Sequence, residues 1–455
     1  MKVHIIGAGL AGSEAAWQAA KRGCQVTLYE MRPLKMTPAH TTGGFAELVC
    51  SNSLKSQSLF NASGLLKEEL RHLDSLVLEA AIASQVPAGQ ALAVDRQLFS
   101  SYITQKLQEH PMVTVVNAEV TTLPVSQLNE HREPWVIASG PLTSDSLAAF
   151  LQELTGREHL SFFDAIAPIV TLESLNMEKI YRASRYDKGE ADYLNCPLSS
   201  EEYRSFWQAL TEAQVHPLRE FEKITYFEGC IPVEVLAKRG YDTLVYGPMK
   251  PVGLRNPHTG TLPYGVVQLR QDTLAGDLYN LVGFQTNLRY GEQDRVLRLI
   301  PGLEQAEFVR YGSMHVNTFI NSPTLLSNTL QMKDNPYILW AGQITGVEGY
   351  VEAAGTGWLA GVNAAILAAG KEPLSPPPAT MLGALVRYIT TSEARYFQPM
   401  NAVYGILPTL ETESEKDKRS FAAGGEMKRK LGKRERQEGY LHRSLEELKK
   451  WIKKL

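Results

Sequence analysis

Cysteine is scarce in this chain: its 455 residues contain four, Cys24, Cys50, Cys196 and Cys230. Their wide spacing offers neither a C-x-x-C redox pair nor the paired ligands of a zinc knuckle, which argues against a disulfide-stapled or zinc-built fold. No metal is expected. Long apolar runs are absent too. Nothing approaches the roughly 18 consecutive apolar residues of a membrane span, and the chain enters a strand and glycine turn at once, leaving no place for a signal peptide. The expectation is a cytoplasmic protein with no membrane partner. Net charge is small, at −3, and no internal repeat is visible. The balance is uneven, however. Lys416 to Leu455 carries +8 and the rest −11, so the tail can face phosphate, or form a solvated amphipathic helix with Leu441, Leu445, Leu448 and Ile452 on one side. The two readings are compatible. With 44% hydrophobic and 21% charged residues the composition is ordinary globular, and the length predicts two domains.

What is present begins with KVHIIGAGLAGSEAAWQAAKRGCQVTLYE. Val3–Ile6 reads as a short apolar strand, Ser13–Lys21 as a helix and Gln25–Glu30 as a second strand. Gly7, Gly9 and Gly12, with Ala8, Leu10 and Ala11 between them, make G-x-G-x-x-G. That pattern allows a tight turn, close backbone approach to a pyrophosphate and close packing of helix on strand. Glu30, 18 residues beyond Gly12, is placed to accept hydrogen bonds from an unphosphorylated ribose, as in FAD or NAD.

This motif does not by itself separate FAD from NAD or S-adenosylmethionine. Two later segments do. WVIASGPLTS, Trp135–Ser144, reads as a strand ending in a small-residue turn. YILWAGQITGVEGYVEAAGTGWLAGVNAAILAAG, Tyr337–Gly370, reads as a buried strand, a glycine-bearing turn at Gly342 and Gln343, and an Ala/Gly-rich helix. Three markers in that order point to FAD. From about Thr171 to Ser313 the chain is richer in aromatics, prolines and charge, as for an inserted domain. The fold class expected is α/β: a glutathione-reductase-like, Rossmann-type FAD-binding domain with an inserted α+β domain. The expected division is 1–170 for the first part of the FAD domain, 171–313 for the insertion, 314–412 for the return segment and 413–455 for a basic helical tail.

Two cysteines stand in unusual surroundings. Cys230, in TYFEGCIPVEVLAKRG, precedes a short helix that Pro232 can start and Gly240 can stop, and a helix N-terminus favours a thiolate. Cys50 lies in the polar stretch VCSNSLKS, soon after the dinucleotide unit. Either can equally be a small buried residue. His315 and Asn317 alternate with Met314, Val316 and Phe319 in a strand-like run, and Arg289, in GFQTNLRYGEQ, reads by default as a surface charge.

GAGLAGSEAAWQAAKRG, TTGGFAELVCSNSLKS, YFEGCIPVE, GFQTNLRYGEQ, YGSMHVNTFINSP and WAGQITGVEGYVEAAGTG together resemble the TrmFO family, relatives of the GidA flavoproteins, from residue 1 to about residue 410. The resemblance implies C5-methylation of a uridine in the tRNA T-loop, with FAD as cofactor, methylenetetrahydrofolate as one-carbon donor and NAD(P)H as reductant. It makes Cys230 the nucleophile that adds to uracil C6, and Cys50 the second functional thiol, assigned to removal of the C5 proton after attack on a flavin-carried methylene. His315 would stack on the pterin, with Arg289 and Asn317 as further folate contacts. The rival readings are a flavin-dependent thiol or NAD(P)H oxidoreductase using Cys50 and Cys230 as a redox pair, methylation of ribosomal RNA instead, the related chemistry at a wobble uridine, and a non-catalytic RNA-binding flavoprotein.

Overall fold

The computed structural model describes residues 1–128, 132–156, 160–187, 190–217, 231–410 and 432–455. Short apolar runs at the N-terminus become strands of a five-stranded parallel sheet. Its order is β16 (Ile338–Trp340), β7 (Trp135–Ile137), β1 (Lys2–Ile6), β2 (Gln25–Glu30) and β6 (Val113–Asn117). Both faces of such a sheet must be covered, which is why Val3, Ile5, Val26, Leu28 and Val136 are buried on one and Ile6, Trp135, Ile137 and Trp340 on the other. The helix Leu10–Lys21 makes the crossover between β1 and β2 and packs against the helix Tyr350–Ala368. Small residues set that contact: a Cβ on Gly357 would lie 2.2 Å from the Ala11 carbonyl oxygen, and one on Gly361 2.4 Å from that of Ala15. The Ala/Gly-rich composition of the return helix is thus a packing requirement.

A second core forms around a six-stranded antiparallel sheet, in the order β10 (Tyr181–Arg182), β11 (Tyr193–Leu198), β12 (Gly265–Gln271), β13 (Leu278–Leu281), β9 (Ile169–Thr171) and β14 (Phe308–Arg310). Tyr203 and Phe206, from the helix Ser200–Glu212, pack with Leu269 and Phe284 in that core. Between the two sheets runs an antiparallel pair, β8 (Leu160–Ile166) with β15 (Ser313–Phe319). A small sheet of β3 (Ser53–Ser56), β5 (Ala91–Val94) and β4 (Gln85–Val86) follows the Cys50 loop.

The tail is a helix, Lys433–Ile452, but not a fully solvated one. Leu448 and Trp451 are buried in the first core, and the Trp451 ring packs at 5.7 Å, tilted by 53°, against Trp358 of the return helix. Among the described residues no helix is long and apolar enough to cross a membrane, and no cluster of His, Cys, Asp and Glu could hold a metal.

Candidate active site

A cleft enclosing about 1040 Å³, mouth included, opens at the C-terminal ends of the parallel strands. This is the edge at which open α/β sheets bind ligands. Gly7 turns the chain there with φ +92°, and a Cβ on it would meet the Ala138 carbonyl at 2.6 Å. A Cβ on Gly12 would lie 1.7 Å from the Gly7 carbonyl, so neither position accepts a side chain. Of the residues read as cofactor contacts, Gly7, Gly9, Leu10, Ala11, Gly342 and Gln343 line the cleft, and so does Glu30. Ala8 and Gly12 act behind the wall: the Ala8 N–H donates to Glu30 at 2.8 Å, and Gly12 packs on Gly7.

Glu30 is bound more fully than the sequence implied. Besides Ala8, the Arg32 backbone N–H, Nε and Nη2 donate to its carboxylate at 3.0, 2.9 and 3.1 Å. Both side chains are buried. Burial pushes the carboxyl up, but the Arg32 hydrogen bonds and charge together with Ala8 outweigh it and hold Glu30 below the usual carboxylate range.

Two helices point their N-termini into the cleft. Gly9 caps Leu10–Lys21 and Gly349 caps Tyr350–Ala368, and neither cap has a side-chain acceptor, so N–H groups and the positive dipole ends are left for a ligand. The cleft therefore suits a dinucleotide, which the N–H groups at the starts of these two helices would hold. FAD fits the residues present.

Tyr350 joins this cleft to Cys50. It lines the cleft, and its Oη accepts the N–H of Cys50 at 2.9 Å and of Ser51 at 3.1 Å. Burial drives the Tyr350 phenol far above its ordinary value, so it stays neutral. The Cys50 carbonyl receives Arg96 Nη2 at 3.2 Å and Arg310 Nη2 at 2.9 Å. Arg270 holds the next two residues, donating to Ser51 Oγ and Asn52 Oδ1, each at 2.9 Å. The thiol itself points to the Ala165 carbonyl, 3.8 Å away. By contrast Cys24 and Cys196 are buried, and desolvation raises both thiols.

From Cys50, contacts lead on to Glu234. Ala165 is paired with Met314 on β15, next to His315, which stands opposite Asp164. The neighbouring Ile166 carbonyl accepts the Thr286 N–H at 3.3 Å. Thr286 Oγ1 donates to Glu234 at 2.8 Å, and the Asn287 N–H donates to the same carboxylate at 2.8 Å. Glu234 belongs to the helix Val233–Lys238, capped by Pro232 rather than begun by it. Cys230 and the His315 side chain lie outside the described residues. Asn317 is buried on β15. Arg289 is exposed at the start of the helix Tyr290–Leu297 and donates to Gln214 at 3.0 Å, apart from the residues lining the cleft.

Sequence reasoning missed Arg32, Arg96, Arg270, Arg310 and Tyr350. Only the first is near its partner in the chain, in the order Glu30-Met31-Arg32; the others reach across 46 to 300 positions.

The fold and cleft define the class: a dinucleotide-binding α/β protein of the flavoprotein type. The family described as Glucose inhibited division protein A matches residues 2–372. Two solved structures of Aquifex aeolicus GidA share the fold. The form II crystal superposes with TM-score 0.68 at 17% identity, over 99% of this chain and 73% of that one. Form I gives 0.64 at 16%, over 100% and 90%. Much nearer in sequence are curated proteins named methylenetetrahydrofolate--tRNA-(uracil-5-)-methyltransferase TrmFO. That of Bacillus subtilis is 56% identical over 98% of this chain and 97% of its own length. That of Anoxybacillus flavithermus is 55% identical over the whole of both chains. That of Moorella thermoacetica is 60% identical over 90% of this chain and 92% of its own. The chain belongs to the TrmFO family of folate-dependent tRNA (uracil-5-)-methyltransferases.

Proposed function

We propose that this protein methylates C5 of a uridine in the tRNA T-loop, taking the carbon from methylenetetrahydrofolate and electrons ultimately from NAD(P)H. Uracil C5 is a weak nucleophile. The Cys230 thiolate adds to C6, which turns the ring into an enolate whose C5 attacks the one-carbon electrophile. Cys50 then takes the C5 proton, and elimination of the Cys230 sulfur restores the ring. Bound FAD, when reduced, supplies the two electrons that bring the carbon from the formaldehyde to the methyl level. Tyr350 and the arginines hold the Cys50 main chain, so the thiol acts from a fixed position beside the cleft. His315, Asn317 and Arg289 are assigned to folate, the first as the pterin's stacking partner. The target uridine has to be turned out of its stack to reach the thiols.

The observation that carries this reading is the Cys50 loop held by Tyr350, a residue that also lines the flavin-type cleft. The loop that carries the first of the two thiols thus stands beside the flavin-type cleft, in a chain whose relatives carry the methyltransferase name.

The test supplies holoenzyme with reductant, carbon-labelled methylenetetrahydrofolate and an unmodified tRNA transcript. Label should enter the T-loop uridine. It should vanish in Cys230→Ala and Cys50→Ala, while both variants keep FAD and bind RNA. Retained labelling in both would sink the mechanism; NAD(P)H oxidation without any RNA labelling would favour the oxidoreductase; and labelling of ribosomal RNA but not tRNA would move the substrate.

A further inference from the structure

Behind the Cys50 loop lies a second cleft, enclosing about 1460 Å³ with its mouth. Its floor holds Arg96 and Arg310. One wall is the helix Arg96–Gln108, which exposes Gln97, Ser101 and Gln108 there while Ser100, Thr104 and Gln105 donate to Phe45, Ser100 and Glu109; the other is the loop of Thr41, Thr42 and Gly44. Hydroxyls and amides dominate, and the two strong charges at the bottom are positive.

Those charges are under-compensated. Arg96 pairs with Asp272 at 3.1 Å, but among the described residues Arg310 has no ion pair, and its Nε is buried without any partner. A guanidinium carries five donors. Arg96 spends Nη1 on the Leu48 carbonyl and Nη2 on that of Cys50, and Arg310 spends its Nη atoms on Val49, Cys50 and Ala167, which leaves N–H groups on both unused. Burial, with Arg96 beside it, lowers Arg310 to about 10, as expected of a cation short of an anion. Two carboxylates also border the cleft. Glu47 is consumed by the N–H and hydroxyl groups of Thr41 and Thr42 and by Arg32, and Glu109 sits at the far end of the helix, bonded to Gln105.

We infer that this cleft is an RNA-phosphate site, in which Arg96 and Arg310 with the exposed Gln97, Ser101 and Gln108 take successive phosphodiesters of the strand that carries the target uridine. The inference rests on the RNA-methylating reading. The shape favours a strand over a single carboxylate: the helix face runs about 18 Å, against about 3.4 Å per phosphate along a nucleic-acid strand. The position suits it as well. The guanidiniums that would meet phosphate are the ones that hold the Cys50 carbonyl, so RNA arriving there is in register with the thiol.

The experiment uses FAD-loaded protein and an unmodified T-arm hairpin RNA, with affinity followed by anisotropy across a salt series. Ser101→Asp, an exposed change on the wall, should weaken binding at least about fivefold by placing a negative charge in the path of phosphate. Arg310→Met should weaken it about tenfold and lower the slope of log affinity against log salt by about one, with Arg310→Lys recovering most of both. Affinity for tetrahydrofolate polyglutamate should not move. Unchanged RNA affinity and slope in Ser101→Asp and Arg310→Met overturn the proposal, and so does a loss confined to polyglutamate, which would give the cleft to the folate tail. If Arg310→Met fails to retain FAD, Ser101→Asp and Gln105→Glu decide alone. Should the unaltered protein prefer no T-arm hairpin over a scrambled one, the fault lies with the methyltransferase reading itself.

Discussion

Around the dinucleotide cleft the chain offers backbone, and partners close in sequence; around Cys50 it offers side chains drawn from 46 to 300 positions away. The two regions meet at Tyr350, whose ring lines the first and whose hydroxyl holds the second. The cleft is made by what is missing, the Cβ atoms of Gly7 and Gly12 and the side-chain caps of two helices. The Cys50 loop is made by what is added: three guanidiniums and a neutral phenol. The first design is intolerant of any extra atom, the second of any lost hydrogen bond, and the two should fail differently.

The sharpest contrast comes from Gly12→Val. With 1.7 Å between a Cβ and the Gly7 carbonyl, strand and helix cannot keep their distance. The loss expected is above about 4 kcal/mol, seen as protein that purifies without flavin and melts early. A variant with full flavin content would show that the turn can be rebuilt.

Glu30→Gln comes next. It leaves the buried Arg32 with Glu47, at 3.4 Å, in place of its closer counter-ion, at a cost of about 3 kcal/mol, and flavin affinity should fall with stability. The sign with pH follows from a depressed carboxyl. Its stabilisation is complete above the ordinary carboxylate value and is lost as pH falls through the lower folded value, so the variant should flatten the acid limb of a melting-temperature profile. An identical acid limb in both proteins would count against the pair.

On the other side of Tyr350 the effect should be smaller and local. Tyr350→Phe strips two half-buried N–H groups, of Cys50 and Ser51, of their acceptor, at about 1 to 2 kcal/mol. FAD should remain bound. Hydrogen exchange over residues 49–52 should quicken, and iodoacetamide should label Cys50 at a changed rate while Cys24 and Cys196 stay protected. If flavin is lost as readily as in the glycine variant, the two regions are not separable.

This contrast also explains what could be read beforehand. G-x-G-x-x-G, the acid ending the second strand and the Ala/Gly-rich return helix are local patterns, and the fold class follows from them because a parallel sheet with a crossover helix imposes its spacing on neighbouring residues. Arg32 was within sight and overlooked. Arg96, Arg270, Arg310 and Tyr350 were not visible: nothing in RQLFSSYITQKLQ or GVVQLRQ marks one arginine as bound for Cys50. The buried Leu448 and Trp451 show the same limit from another side. Helical spacing announced an apolar face on the tail helix but not the surface it would meet.

That docking supplies the smallest effect, and it turns on a third arrangement, an acid with no cation partner among the described residues. Glu69 is fully buried and accepts the N–H groups of Met381 and Leu382 at 2.6 and 2.9 Å, with Ser444 Oγ of the tail helix at 2.5 Å. Burial raises its carboxyl to about 7 in spite of those donors. The sign is opposite to that of Glu30. The folded protein holds the proton longer than the unfolded chain, so the contribution is complete below the ordinary carboxylate value and fades as pH rises through 7. From pH 6 to 8 the docked helix should lose about 1 kcal/mol. Amide exchange over Lys433–Ile452 should therefore accelerate beyond its intrinsic pH dependence, and Glu69→Gln should remove the excess. Equal excess in both proteins would mean that Leu448 and Trp451 hold the helix without help from the carboxyl, and that a carboxyl left without a cation costs this fold less than its burial suggests.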